Sequence, residues 1–255
     1  MHPDLFSIGP LTLHTYGLFV ALGFMAGILV TIKLGKSAGI SSNSVMDMGF
    51  IIILSGLIGS RLVYIIIDFS HYISHPLDIF KIWEGGLVFS GGLVAVIIMM
   101  LFYVKHHGYN IWTIGDLWAP GAAIGQAIGR IGCFFAGCCY GKPTDVPWGV
   151  KFSNPESITP LHNVPIHPTQ LYSSLSSLII FIILIILHSK KKFKGQVFLW
   201  FLILHSTARL FLERFRGDPR GMILTENLTM TQFIAFIILI GAVISLFIFK
   251  PKDNK

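Results

Sequence analysis

The sequence predicts an all-α polytopic membrane protein of about seven transmembrane helices with an extracytoplasmic loop region. Three observations carry this. Charged residues make up only 12% of the 255-residue chain, against about 25% in soluble domains. Mean hydropathy is +0.73. Several apolar runs reach the roughly 20 residues that a helix needs to cross a bilayer. The expected organisation is a single transmembrane domain over residues 1–255.

The apolar runs place candidate helices at Tyr16–Ile32, Val45–Ile67, Gly86–Tyr103, Ile111–Ile128, Leu171–Leu187, Gln196–Leu212 and Thr231–Phe249. The first, second, fifth and seventh are uninterrupted. The third and fourth are rich in glycine, and the fourth carries Asp116, Pro120 and Gln126. The sixth contains His205 and Arg209. Polar groups are costly against lipid, so these three helices are expected to face protein or a polar cavity. The opening residues Met1–Pro10 contain no basic stretch and no small-residue cleavage site follows, so the first run is expected to remain as a span.

Charge orients the helices. Ten lysines (33, 36, 105, 190, 191, 192, 194, 250, 252 and 255) lie just beyond the first, third, fifth and seventh runs. Cytoplasmic segments collect positive charge in this way, which puts the N-terminus outside and the C-terminus in the cytoplasm. The net charge of +7 is thereby explained by the lipid bilayer, and no nucleic acid is expected as a partner. The arginines behave differently. Arg61 falls inside a span, while Arg130, Arg209, Arg214, Arg216 and Arg220 fall near the outer ends of the fourth and sixth. A guanidinium fork suits phosphate, and a phospholipid headgroup is the phosphate at that depth. Snorkelling at the interface is the alternative, stronger for Arg214, Arg216 and Arg220 than for Arg130 and Arg209.

The longest connection, residues 129–168, holds Cys133, Cys138 and Cys139 and is expected to fold on the extracytoplasmic side. A connection of that length is usually functional or disordered, and its aromatic and glycine content argues for order. At its start, Gly125, Gly129 and Gly132 present a small-residue face that permits close helix packing or close approach of a ligand. Arg130 lies within that face and needs an anion.

Taken together, these segments resemble the prolipoprotein diacylglyceryl transferases of bacterial cytoplasmic membranes. The resemblance rests on Tyr16-Gly17, Gly59-Ser60-Arg61-Leu62, Gly85-Gly86-Leu87-Val88-Phe89-Ser90-Gly91-Gly92, Gly129-Arg130-Ile131-Gly132, His167-Pro168-Thr169-Gln170-Leu171-Tyr172 and Arg209-Leu210-Phe211-Leu212-Glu213-Arg214-Phe215-Arg216. It implies transfer of the diacylglyceryl group from phosphatidylglycerol to the lipobox cysteine thiol of a preprolipoprotein signal peptide, with release of glycerol phosphate. Arg130 and Arg209 would hold the phosphate and stabilise charge on the leaving group. A base would take the proton of the incoming thiol. Tyr16, Arg61, Ser90, Gly129, Gly132, Gly141, Gln170, Tyr172 and Glu213 are the corresponding substrate-binding candidates. The rival readings are a relative using the same lipid pocket with another acceptor or lipid, and a membrane thiol–disulfide protein.

Four departures from the family pattern fall on chemistry-bearing positions. Ser90 stands where well-known members have histidine, Cys133 replaces an asparagine, Cys138 replaces the acidic residue that follows, and His205 takes the place of a tyrosine one turn before Arg209. With the histidine gone, His205 and His167 are the candidate bases; each is equally well read as a satisfied hydrogen-bonding residue. The three cysteines admit a loop-locking disulfide, free structural thiols or a catalytic thiol. Zinc would want a fourth ligand, available only from His162 or His167. No metal and no cofactor are therefore expected.

Overall fold

The computed structural model describes residues 3–8, 11–81, 85–218 and 229–249. Arg220 and the lysines at 250, 252 and 255 lie outside the described residues. An N-terminal hairpin, β1 (Asp4–Ile8) with β2 (Leu11–His14), runs directly into the first helix. Eight α-helices follow among the described residues: α1 (Thr15–Ser37), α2 (Ser42–Ile67), α3 (Phe69–Ser74), α4 (Phe89–His106), α5 (Ile111–Ala136), α6 (Thr169–Lys190), α7 (Gln196–Leu212) and α8 (Met230–Phe249). Short 3-10 turns occupy Pro76–Phe80 and Glu213–Phe215.

Seven of these helices are 17 residues or longer, and they fall on the seven predicted runs. Five of them (α1, α2, α4, α6 and α8) are long and apolar enough to cross a membrane. Their faces carry exposed Leu, Ile, Phe and Met throughout, which in water would be unstable and in lipid is solvation. The protein is an all-α membrane protein. Apart from the hairpin, which the sequence pattern does not reveal, it holds only isolated β-bridges among the described residues.

One boundary differs usefully from expectation. Residues 129–136, read from sequence as the start of the long connection, are the last two turns of α5. The helix continues because its glycines are packed against a neighbour, which offsets their poor helix propensity. A methyl group at Gly23 would come to 2.6 Å from the carbonyl oxygen of Gly125, and one at Gly27 to 2.8 Å from that of Gly121. Phe19 and Phe135 stack at 5.4 Å on the same seam. Gly137, at φ +76°, then ends the helix.

The chain forms two compact units, residues 1–31 with 115–255, and residues 32–114. In the second, α2 and α4 cross closely through Gly59, Gly91 and Gly92, where added methyls would meet backbone. In the first, Asp116 on α5 is fully buried and caps α7 from outside. It accepts hydrogen bonds from the backbone N–H of Gly195 (2.9 Å) and Phe198 (3.0 Å) and from Lys191 Nζ (3.2 Å). The acidic residue that made this span unfit for lipid is thus a helix cap and ion pair within protein. Ile180, Leu184, Val197, Ala119 and Ala123 form the apolar core beside it.

Candidate functional site

A second group of polar residues of the first unit, Arg130 and the three cysteines among them, lies at the C-terminal end of α5. The connection that follows is held as a cap over its own small core of Tyr140, Phe152 and Ile166. Backbone pairing does most of the positioning. Val150 and Ile166 exchange both hydrogen bonds at 3.0 Å, His167 donates to Lys142 O at 3.0 Å, and Lys142 donates to Phe215 O at 2.8 Å. Gly141 bridges Arg216 in this ladder. A methyl on Gly141 would lie 2.7 Å from His167 Cβ, so only glycine allows the three segments to meet there.

The N-terminus of α6 fixes the turn after α5. Thr169 Oγ1 donates to Cys139 O and Gln170 Nε2 to Cys138 O, both at 2.8 Å, and both side chains are fully buried. Gln170, expected to bind substrate, holds the backbone of the cysteine turn with its amide N–H. Tyr172 also serves the cap. Its hydroxyl accepts from Trp148 Nε1 at 2.7 Å and lies 3.2 Å from His167 Nδ1, so its own proton is free for that nitrogen. His167 is further packed edge-on to Phe215. Trp148 and Thr169 belong to this arrangement although neither has a role assigned from sequence.

The arginines separate into distinct roles. Arg209 pairs with Glu213 at 3.3 Å, the i,i+4 pair that their spacing predicts, and Glu213 also accepts from Thr229 Oγ1 at 3.1 Å. Arg216, expected at the interface or on phosphate, is instead buried, with Nε and Nη2 gripping the two Asp218 oxygens at 2.9 and 3.0 Å. Arg214 is exposed. Arg61, in the second unit, donates to the carbonyls of Ile79 (3.1 Å), Gly85 (2.8 Å), Gly86 (3.3 Å), Lys81 (3.3 Å) and Asp78, and faces the rings of Tyr64 and Tyr72. All three of its nitrogens are committed to organising the loop before α4. Ser90 is exposed in the first turn of α4 in that same unit.

Arg130 differs from all of these. Half-buried, it makes no hydrogen bond or ion pair among the described residues. Its charge acts on Tyr16, His205, Cys133 and Cys139. Tyr16 opens α1 and is 45% exposed. His205 is stacked on Phe201 at 5.6 Å. The glycines flanking Arg130 are not equivalent. A methyl at Gly132 would sit 2.9 Å from Phe19 Cβ, while one at Gly129 meets nothing within 4 Å. Gly132 seats the helix, and Gly129 leaves open space one residue from an unneutralised cation.

The three thiols converge. Cys133 is buried on the last turns of α5, and Cys138 and Cys139 follow the Gly137 turn. All three sulfurs lie within 4.8 Å of one another. Cys139 takes a left-handed φ of +57°, uncommon for a residue with a side chain. Hydrogen bonds from Cys133 and Cys138, then the charges of Arg216 and Arg130, hold the Cys139 thiol well below the ordinary range. Cys138, hydrogen-bonded to Cys133 and Cys139, is pushed up in compensation.

This fold and site define a helical membrane protein with a cationic, thiol-bearing cluster at the C-terminal end of α5. The chain belongs to the prolipoprotein diacylglyceryl transferase family, whose family model matches residues 3–248. It is 36% identical over 250 residues, 98% of this chain and 97% of the relative, to the phosphatidylglycerol–prolipoprotein diacylglyceryl transferase of Clostridium tetani. It is 32% identical to transferase 2 of Clostridium perfringens over 96% of this chain and 94% of the relative. With the Bordetella bronchiseptica transferase the figure is 35%, over 99% of this chain and 97% of the relative.

Proposed function

We propose that this protein is a phosphatidylglycerol–prolipoprotein diacylglyceryl transferase. It moves the diacylglyceryl group from phosphatidylglycerol to the lipobox cysteine thiol of a preprolipoprotein and releases glycerol phosphate. Full-length similarity to transferases of that name supports the reaction. The observation that carries the site is Arg130, a half-buried guanidinium with no hydrogen bond or ion pair among the described residues, beside the open space at Gly129. A phosphate there would supply the missing partner and accept two parallel hydrogen bonds. Charge building on the leaving glycerol phosphate would meet a donor already in place. Arg209, half-neutralised by Glu213, would act as a second, weaker electrostatic support. Tyr16 would reach the headgroup.

In this reading all seven long helices span one membrane domain, the bacterial cytoplasmic membrane. The 137–168 cap and the Arg130 cluster are extracytoplasmic, and the C-terminus is cytoplasmic. His205 and His167 remain candidate bases; His167 Nδ1 lies 3.2 Å from the Tyr172 hydroxyl, and His205 stacks on Phe201. The test is transfer from labelled phosphatidylglycerol to a lipobox peptide by the purified protein, together with complementation of a strain depleted of its own transferase. Absence of peptide labelling by folded protein would refute the proposal.

A further inference from the structure

We propose that Cys133, Cys138 and Cys139 form a three-thiolate site for a thiophilic divalent metal ion of the zinc class, whose open fourth position takes the acceptor cysteine thiol. The proposal deepens the transferase reading and rests on it for the identity of the fourth ligand.

The geometry comes first. With metal–sulfur bonds of about 2.3 Å, sulfurs in a tetrahedral zinc site stand about 3.8 Å apart. The three sulfurs here already lie within 4.8 Å of one another, a gap that small side-chain rotations close. The cluster is also built rather than incidental. Thr169 and Gln170 clamp the carbonyls of Cys139 and Cys138, and Cys139 holds a left-handed φ of +57° with its sulfur in the cluster. Strained backbone of this kind persists where surrounding structure over-determines it, often at functional sites.

A second observation points to a ligand. Arg216 is almost fully buried, and Asp218 occupies two of its nitrogens, yet Nη1 has no hydrogen-bond partner among the described residues. Its charge acts on Cys139. A buried guanidinium N–H lacking an acceptor costs stability. A metal-bound thiolate at Cys139 would be that acceptor, the outer-shell hydrogen bond that tunes such ligands. Three thiolates around a divalent ion carry a net negative charge, which Arg130 would further offset.

Three protein ligands and one open position is the arrangement of catalytic rather than structural zinc. It answers the loss of the family histidine at Ser90, because a coordinated thiol is deprotonated outright. The acceptor R–SH binds the metal in place of water and gives its proton to solvent. Its sulfur lone pair then attacks the diacylglyceryl carbon that bears the phosphate ester. The C–S bond forms, the C–O bond breaks, and the C–O electron pair leaves on glycerol phosphate. The neutral thioether is a poor ligand and departs. No electron is exchanged with a redox partner.

The test uses full-length protein purified in detergent with thiols kept reduced, loaded with zinc and, separately, with cobalt(II). About one equivalent of zinc should be retained, and cobalt should give a thiolate-to-metal charge-transfer band. Serine at any one cysteine should weaken zinc retention at least about tenfold, and Arg216→Gln should do so within about 10–100-fold. Circular dichroism establishes folding of each variant, and zinc retention by the wild type decides the matter without any variant. A lipobox peptide should intensify the cobalt band, and the same peptide with serine for cysteine should not. Zinc retention no greater than in the folded triple-serine variant would overturn the proposal. So would a disulfide between any two of the three in protein alkylated within intact membranes, or a cobalt band indifferent to the cysteine peptide. These readouts need no phosphatidylglycerol, so a metal-binding protein that transfers nothing would sink the transferase reading alone.

Discussion

Arg130 and its two glycines show how much one residue's surroundings decide. A phosphate-binding arginine and a structural arginine have the same sequence signature, but the structure gives Arg209 a glutamate, Arg216 an aspartate and Arg61 a set of carbonyls. Arg130 is left with no such partner among the described residues. Arg130→Lys keeps the charge and loses the fork. Its turnover in a labelled-phosphatidylglycerol assay should fall at least about tenfold, about 1.4 kcal/mol in the barrier. Arg214→Lys, at an exposed position, should remain near wild type. Equal activity of the two would remove Arg130 from the phosphate site. The glycines make a matched pair. Gly132→Ala crowds Phe19 and should cost about 1–3 kcal/mol of stability. Gly129→Ala has room, so stability should be unchanged or raised by up to about 1 kcal/mol. Its transfer should nevertheless slow as the methyl enters the space assigned to lipid. Thermal unfolding in detergent, read beside the transfer assay, separates the two.

At the scale of elements, α5 carries most of the molecule's specificity. Its first half supplies Asp116, the external cap of α7. Asp116→Ala leaves two buried N–H donors unsatisfied and should destabilise the protein by at least about 2 kcal/mol, measured by thermal unfolding in detergent. A variant as stable as wild type would mean that the cap contributes nothing. Its second half runs through Arg130 and Cys133, where glycine content alone argues for a loop. Helix propensity is a weak prior against packing, and the contact of Gly125 with Gly23 is a long-range fact that local pattern cannot contain. The cap at residues 137–168 was legible as ordered from its aromatic and glycine content, though its backbone ladder with residues 215–217 was not.

For the molecule as a whole, the ten lysines predict orientation. Reporter fusions after Lys36, His107 and Lys194 should read cytoplasm, and one near Asn154 should read outside. A cytoplasmic signal at Asn154 would invert the assignment and place the Arg130 cluster on the wrong face for secreted acceptors. Apolar periodicity and charge asymmetry are whole-chain properties that need no contact map, which is why the helices and their proposed orientation could be read early.

The sequence by itself determined the membrane class, the seven helical segments, the family and the small set of polar residues worth weighing. Each of these depends on composition, run length or ordered motifs, quantities that are local along the chain. Only the tertiary structure decided what each polar residue does. It set Gln170 and Thr169 on the backbone of the cysteine turn, gave Arg216 to Asp218, and brought three thiols within 4.8 Å. The physical reason is that a charge or hydrogen-bonding group inside a membrane protein is defined by the partner that neutralises it. That partner is chosen by folding, often from far along the chain.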